Sequence, residues 1–171
     1  MSRRVVIADA GPLIALARIE LLGLLRKLFG QIIITSAIRN EILPPESTFS
    51  DTGLLLRTLD EGWIEVVDAL QDGWMPLNPG VDPGEASAIR IARHWRDKGK
   101  AVLLAIDDYA GRREAEAQGI TVIGTAAIIG LFKTEGLIPA ASPQLERLVK
   151  SGYFIGPSVI AAVLAETGEA A

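Results

Sequence analysis

Val5-Val6-Ile7-Ala8-Asp9-Ala10-Gly11 sets three β-branched residues in a row just before an acid and a glycine. An uninterrupted run of this kind reads as a strand buried on both faces, the pattern of a central parallel strand. Asp9 falls where that strand ends, and Gly11-Pro12 turn the chain. In open α/β sheets ligands bind beyond the carboxyl ends of the strands, so Asp9 is delivered to the edge where chemistry is usually done. The alternative is that Asp9 only caps the helix starting near Leu13. Whether other acids return to the same edge decides between the two.

Downstream the same alternation repeats. Leu13 to Leu28 predicts a helix or broken helical pair ended by Gly30, followed by the β-branched run Ile32-Ile33-Ile34-Thr35. Ser36 is expected to cap a helix from Ala37 to Leu43, which Pro44-Pro45 stop and which carries Glu41 near its end. Taken alone, Glu41 reads as a solvated residue on a helix face. A helix through Leu54 to Leu59 and a strand from Trp63 to Val67 come next, then an irregular surface loop from Asp68 to Pro83. Asp82-Pro83-Gly84-Glu85 predicts a capping box at the start of a helix running to about Lys98, so Glu85 has a structural reading too. The apolar run Ala101 to Ile106 ends in Asp107-Asp108, a second buried strand delivering acids. A helix from Tyr109 to Gln118, a strand Ile120 to Ile123 and a helix begun by Gly124-Thr125 complete the α/β pattern, with two more helices at Ser142–Lys150 and Pro157–Glu166.

A chain of 171 residues suits one domain spanning 1–171, with about 137–171 as a C-terminal helical extension. Its hydrophobic content of 49% and mean hydropathy of +0.32 raise the question of a membrane span. The longest apolar stretch is interrupted by Arg18, Glu20, Arg26 and Lys27, so a cytoplasmic protein with no membrane segment or signal peptide is expected. The absence of cysteine excludes disulfides, thiolate metal sites and cysteine nucleophiles. A net charge of −4 argues against nucleic-acid binding through a broadly basic surface, and only Arg39, Arg112, Arg113 and Lys133 offer a basic track. A nuclease stays open, because carboxylates holding divalent cations make a site locally cationic. No Walker loop or Gly-x-Gly-x-x-Gly follows the first strand, which removes P-loop and dinucleotide chemistry. Gly11 stands where a haloacid-dehalogenase-type phosphatase needs its second Asp.

Parallel strands bring Asp9 and Asp107 to one sheet edge, and the helices bearing Glu41 and Glu85 begin at or pass over it. Hard oxygen donors, no Cys and one His select Mg²⁺ or Mn²⁺ over zinc. A carboxylate cluster of this kind suits phosphodiester hydrolysis by metal-activated water. His94, inside a charged helical segment, reads as a surface or boundary residue.

The chain resembles the PIN domain, and more narrowly the VapC-related proteins of prokaryotes. The resemblance rests on Val6 to Leu16, Ile34-Thr35 with Glu41-Ile42-Leu43, Pro83-Gly84-Glu85-Ala86-Ser87-Ala88-Ile89, Leu104 to Asp108 with Ala110-Gly111-Arg112-Arg113, and Gly119 to Thr125. It implies a three-layer α/β/α sandwich on a central parallel sheet and a metal-dependent endoribonuclease. On that reading Asp9, Glu41, Glu85, Asp107 and Asp108 are the site acids, with Asp9, Glu85 and Asp107 on the metal. Thr125 matches a hydroxyl near the metal or its water. RNA substrate, a small antitoxin partner and a homodimer are also implied. Glu85 departs from the Asp of many such toxins, and the 63–82 segment and last two helices are extra. Those additions could cover the site, form a dimer surface or replace an antitoxin contact. A PIN-like nucleic-acid-binding or interaction protein with little nuclease activity is the competing expectation.

Overall fold

The computed structural model describes residues 3–43 and 50–170. Val5–Ala8 forms β1, and Ala10–Arg18 and Leu24–Phe29 form α1 and α2, so the first helical stretch is the broken pair. Gly30 ends α2 with φ of +76°, a conformation that glycine adopts without a Cβ penalty. Ile32–Thr35 is β2, Ser36–Ile42 α3, Ser50–Asp60 α4 and Ile64–Val67 β3. The expected stop at Pro44-Pro45 lies outside the described residues. One boundary differs from expectation. Thr35, not Ser36, caps α3, because Thr35 keeps extended backbone angles and its hydroxyl accepts the Ile38 N–H at 3.2 Å.

Pro83–Asp97 is α5 and Val102–Ala105 is β4. Tyr109–Ala117, Thr121–Ile123 and Thr125–Thr134 are α6, β5 and α7, and Ser142–Lys150 and Pro157–Glu166 are α8 and α9. Among the described residues all five strands are parallel, in the order β3-β2-β1-β4-β5. The helices pack against this sheet in an α/β sandwich. Continuous apolar runs form its three inner strands, β2, β1 and β4, because both of their faces are covered. Ile7 and Leu104 are fully buried register partners, and Ile34, Ile89 and Phe132 are equally enclosed.

Strand order reverses direction at β1. The chain steps outward through β2 and β3, then returns to place β4 on the other side of β1. That is the topological switch point, and Asp9 and Asp107 follow the two strands that flank it.

Residues 68–82 form the expected irregular segment, and it is anchored near its middle to α5 and α6. Arg90 donates from Nε and Nη2 to the Trp74 carbonyl at 3.0 and 2.9 Å, while the Arg93 guanidinium lies 4.8 Å from the Trp74 ring centre. The buried Glu114 carboxylate accepts the Leu77 and Asn78 N–H groups at 2.9 and 3.2 Å. A buried carboxylate without such donors would be costly, so the loop and α6 hold each other. The segment thereby delivers Asp82 to the start of α5. At the other terminus α9 packs on α7, where Gly130 faces Val163, and Glu169 accepts the Ala141 and Ser142 N–H groups at 3.0 Å each. No described helix is long and apolar enough to cross a membrane.

Candidate metal centre

Parallel βα units start their helices at the carboxyl edge of the sheet, so the N-termini of α1, α5, α6 and α7 all open there. Each begins beside one of the expected residues. Asp9 occupies the N-cap position of α1 with extended backbone angles, and its own N–H pairs with the Ala105 carbonyl of β4 at 2.8 Å. Its side chain makes no capping hydrogen bond. Buried to 7% exposure, it leaves Oδ1 without any partner. A cap would have satisfied that oxygen, so capping does not account for an acid at this place.

Glu85 stands in the first turn of α5, and the capping box is complete. Asp82 Oδ1 accepts the Glu85 N–H at 2.8 Å, and Glu85 Oε2 accepts the Asp82 N–H at 3.0 Å. The structural reading of Glu85 is therefore correct, but it uses one oxygen of a side chain that is itself buried. Gly111 explains how α6 reaches this acid. A Cβ there would stand 2.6 Å from Ile106 Cδ1 and 3.3 Å from Glu85 Oε2, so glycine lets α6 approach without displacing the Ile106 side chain.

Glu41 is exposed near the end of α3, and its carboxylate abuts the start of α5. A Cβ on Gly84 would meet Glu41 Oε2 at 3.0 Å and Asp82 Oδ1 at 3.4 Å. A short polar chain holds the two helices together. Thr35 and Ser87 share a buried hydroxyl–hydroxyl bond of 2.7 Å, and Ser87 Oγ donates to the Gly84 carbonyl at 2.6 Å. Asp108 is exposed and caps α6, its Oδ2 accepting the Gly111 N–H at 3.1 Å.

Asp107 is the most heavily supported acid. Thr125, buried at the start of α7, donates its N–H to Oδ1 at 2.7 Å and its hydroxyl to Oδ2 at 2.6 Å. Oδ2 also accepts the Tyr153 hydroxyl, which comes from the α8–α9 connection. Gly11 lies under that pair, with its ideal Cβ position 3.4 Å from the Tyr153 hydroxyl and 3.7 Å from Asp107 Oδ2. Thr125 thus acts on the carboxylate of Asp107.

Crowding of these acids has an electrostatic signature. The Asp9 carboxyl is pushed up to about 7, first by burial, against the pull of the Ala10 N–H, and then by the charges of Glu85, Glu41 and Asp82. Glu85 also rises to about 7, through burial, against its bond from the Asp82 N–H, and through repulsion from Asp82, Asp108 and Glu41. Glu41, exposed as a residue, is raised by partial desolvation of its carboxylate against the start of α5 and by Asp82. Asp82, read from sequence only as a cap, is therefore a fourth acid pressing on the group. Tyr153 is the other residue that sequence reasoning missed. The only signal available was a tyrosine bracketed by Gly152 and Gly156 in a chain with two tyrosines.

Among the described residues no three acidic or histidine side chains are gathered tightly enough to form a ready-made cage for an ion. The donor set nonetheless fits a hard divalent cation. Mg²⁺ is commonly held by one or two carboxylates with its remaining positions filled by water, and Asp9 Oδ1 is a buried oxygen lacking any donor. Of the basic track, Arg112 lies at this edge, its Nη1 donating to the Ile106 carbonyl at 3.3 Å. Lys133 stands in the last turn of α7, at the opposite end of that helix from Thr125.

No curated protein matches the chain. Among solved structures it is similar to a PilT N-terminus domain protein from the hyperthermophilic archaeon Sulfolobus solfataricus, at 17% identity and a TM-score of 0.49, over 71% of this chain and 87% of that one. A family model described as PIN domain matches residues 5–169, nearly the whole length, and the chain belongs to the PIN-domain family.

Proposed function

We propose that the chain is a Mg²⁺- or Mn²⁺-dependent endoribonuclease, working as the toxin of a toxin–antitoxin pair and as a homodimer. The observation that carries the nuclease reading is the buried, partnerless Asp9 oxygen among mutually repelling acids at the switch point of the sheet. Membership of the PIN family supports it. Asp9, Glu85 and Asp107 would hold the ion, which when bound supplies an activated water and neutralises charge on the scissile phosphate. Glu41 and Asp82 add negative charge beside Glu85, Asp108 orients the start of α6, and Thr125 fixes the Asp107 carboxylate. The toxin, antitoxin and dimer assignments rest on the resemblance to VapC-related proteins.

Purified protein is expected to cut single-stranded RNA in Mn²⁺ or Mg²⁺ and to lose that activity in excess chelator. Protein that cuts no RNA with any divalent ion would sink the reading. Expression in a host should arrest growth if the toxin role is right.

Tyr153→Phe is a finer test. Partners that orient a metal-bound carboxylate are commonly worth 10- to 100-fold in affinity, and Thr125 keeps two donors on Asp107 after the hydroxyl is lost. Calorimetry should therefore show Mn²⁺ binding weakened roughly tenfold with little change in melting temperature. Unchanged or tighter Mn²⁺ binding would mean that Tyr153 does not position Asp107.

A further inference from the structure

Beside the acids runs a groove of about 420 Å³, walled by the start of α6, the start of α7 and the connection from Tyr153 into α9. Asp107, Tyr109, Arg112, Tyr153, Phe154 and Val159 line it. Both tyrosines of the chain and one of its four phenylalanines therefore meet in one place. Two of these rings lie open to solvent, Phe154 at 86% and Tyr109 at 73% exposure. Folding gains little by leaving aromatic rings so bare.

We infer that this groove is a subsite for an unpaired nucleobase next to the phosphate held at the acids, with Phe154 and Tyr109 as stacking faces and Arg112 on a neighbouring phosphate. The inference rests on the nuclease reading and assigns the contacts to one base to named residues. Charge favours this occupant. The Arg113 guanidinium lies 5.8 Å from the Tyr109 ring centre, over one of its faces, and leaves the ring poised for stacking on the other. Arg112 makes one hydrogen bond among the described residues, to the Ile106 carbonyl, and its guanidinium sits against Gly124 near Asp107. An apolar peptide would cover the rings but bring no anion to the guanidinium. A nucleotide offers a flat aromatic face and an anion on one short frame, and so matches both. Continuity matters as well, because Asp107 belongs to both the groove and the acidic centre. A strand lying across Asp107 must pass its adjoining base along this wall.

The test measures binding without cleavage. In chelator, a short fluorescein-labelled oligouridylate is titrated with wild type, Phe154→Ala and Tyr109→Ala, and a labelled RNA duplex and an abasic oligomer are run alongside. Each substitution should weaken single-strand binding roughly five- to fiftyfold and leave duplex and abasic binding unchanged. Both rings are so exposed that melting temperature should not move. Equal single-strand affinity in all three proteins would overturn the subsite, as would equal losses on the abasic oligomer. If instead Phe154→Ala converts a dimer to a monomer in sedimentation with RNA affinity intact, the groove is a contact between copies and the inference fails. Wild type that cuts RNA while both variants bind normally refutes the groove alone. Wild type that neither binds nor cuts RNA refutes the nuclease reading along with it.

Discussion

Asp9→Asn is expected to reduce metal-dependent RNA cleavage at least about a thousandfold, the equivalent of about 4 kcal/mol in the barrier, and to stabilise the metal-free protein at alkaline pH. The two effects have one cause. Oδ1 of Asp9 is buried with no hydrogen-bond donor, and burial and the charges of Glu85, Glu41 and Asp82 oppose its ionisation. A cation would turn that liability into binding energy; without one the carboxylate is a strained charge. Asn keeps the shape and removes the charge but adds an amide that must find partners, so the net gain at pH 8 should be about 2 kcal/mol. That corresponds to a rise of roughly 4–8 °C in melting temperature for a chain of this size. At pH 4.5 the gain should vanish, because the wild-type penalty has by then fallen to about 1 kcal/mol and no longer exceeds the cost of the added amide. Thermal melts at the two pH values with a cleavage assay check both halves. A variant that cuts RNA as well as wild type, or loses stability at pH 8, would remove Asp9 from the centre of the site.

The wild-type protein, stripped of metal, should become less stable as pH rises from about 4 to about 7. The sign follows from the direction of the shift. Asp9 moves from 3.8 to about 7, so the folded state holds its proton where the unfolded chain has released it. Below about 4 both states are protonated and nothing is lost. Between the two values stability falls with each proton the unfolded chain gives up, and above about 7 the full penalty applies. For Asp9 it is on the order of 4 kcal/mol, and Glu85, also raised to about 7, acts in the same direction. Mn²⁺ should reverse the trend, raising the melting temperature strongly at pH 8 and hardly at all at pH 5, where protons compete for the same oxygens. Melts across this range with and without Mn²⁺ provide the measurement. A stability that is flat in pH, or a Mn²⁺ effect equal at both ends, would mean that the acids do not act together.

Much of this site was legible because its positions are tied to local signals. Asp9 and Asp107 directly follow apolar runs, and a parallel strand hands the next residues to the carboxyl edge whatever else the chain does. Glu85 was legible twice, as a capping residue and as a site acid; the capping box is complete, and the proposed role on a metal would use the same first turn of α5. Thr125 entered through the family resemblance as a hydroxyl near the metal or its water, and the structure shows it donating to Asp107 from the start of α7. The α3 cap was misplaced by one residue because Thr35 and Ser36 are both good capping residues, and only backbone angles distinguish them.

The amino-acid sequence by itself determined the succession of strands and helices, the parallel sheet and the edge at which the acids appear. Those follow from hydrophobic runs, glycine and proline punctuation and caps, all of which act over a few residues. Only the tertiary structure decided that Asp9 keeps a buried carboxylate oxygen without a partner and does not cap its helix, that Asp82 presses on the same group, and that Tyr153 reaches back across 46 residues to Asp107. Each of these depends on how separate elements pack, α3 on α5 for Asp82 and α9 on α7 for Tyr153, and on burial that converts ordinary acids into mutually repelling ones. Local sequence patterns encode neither the distance between such elements nor the solvent they exclude.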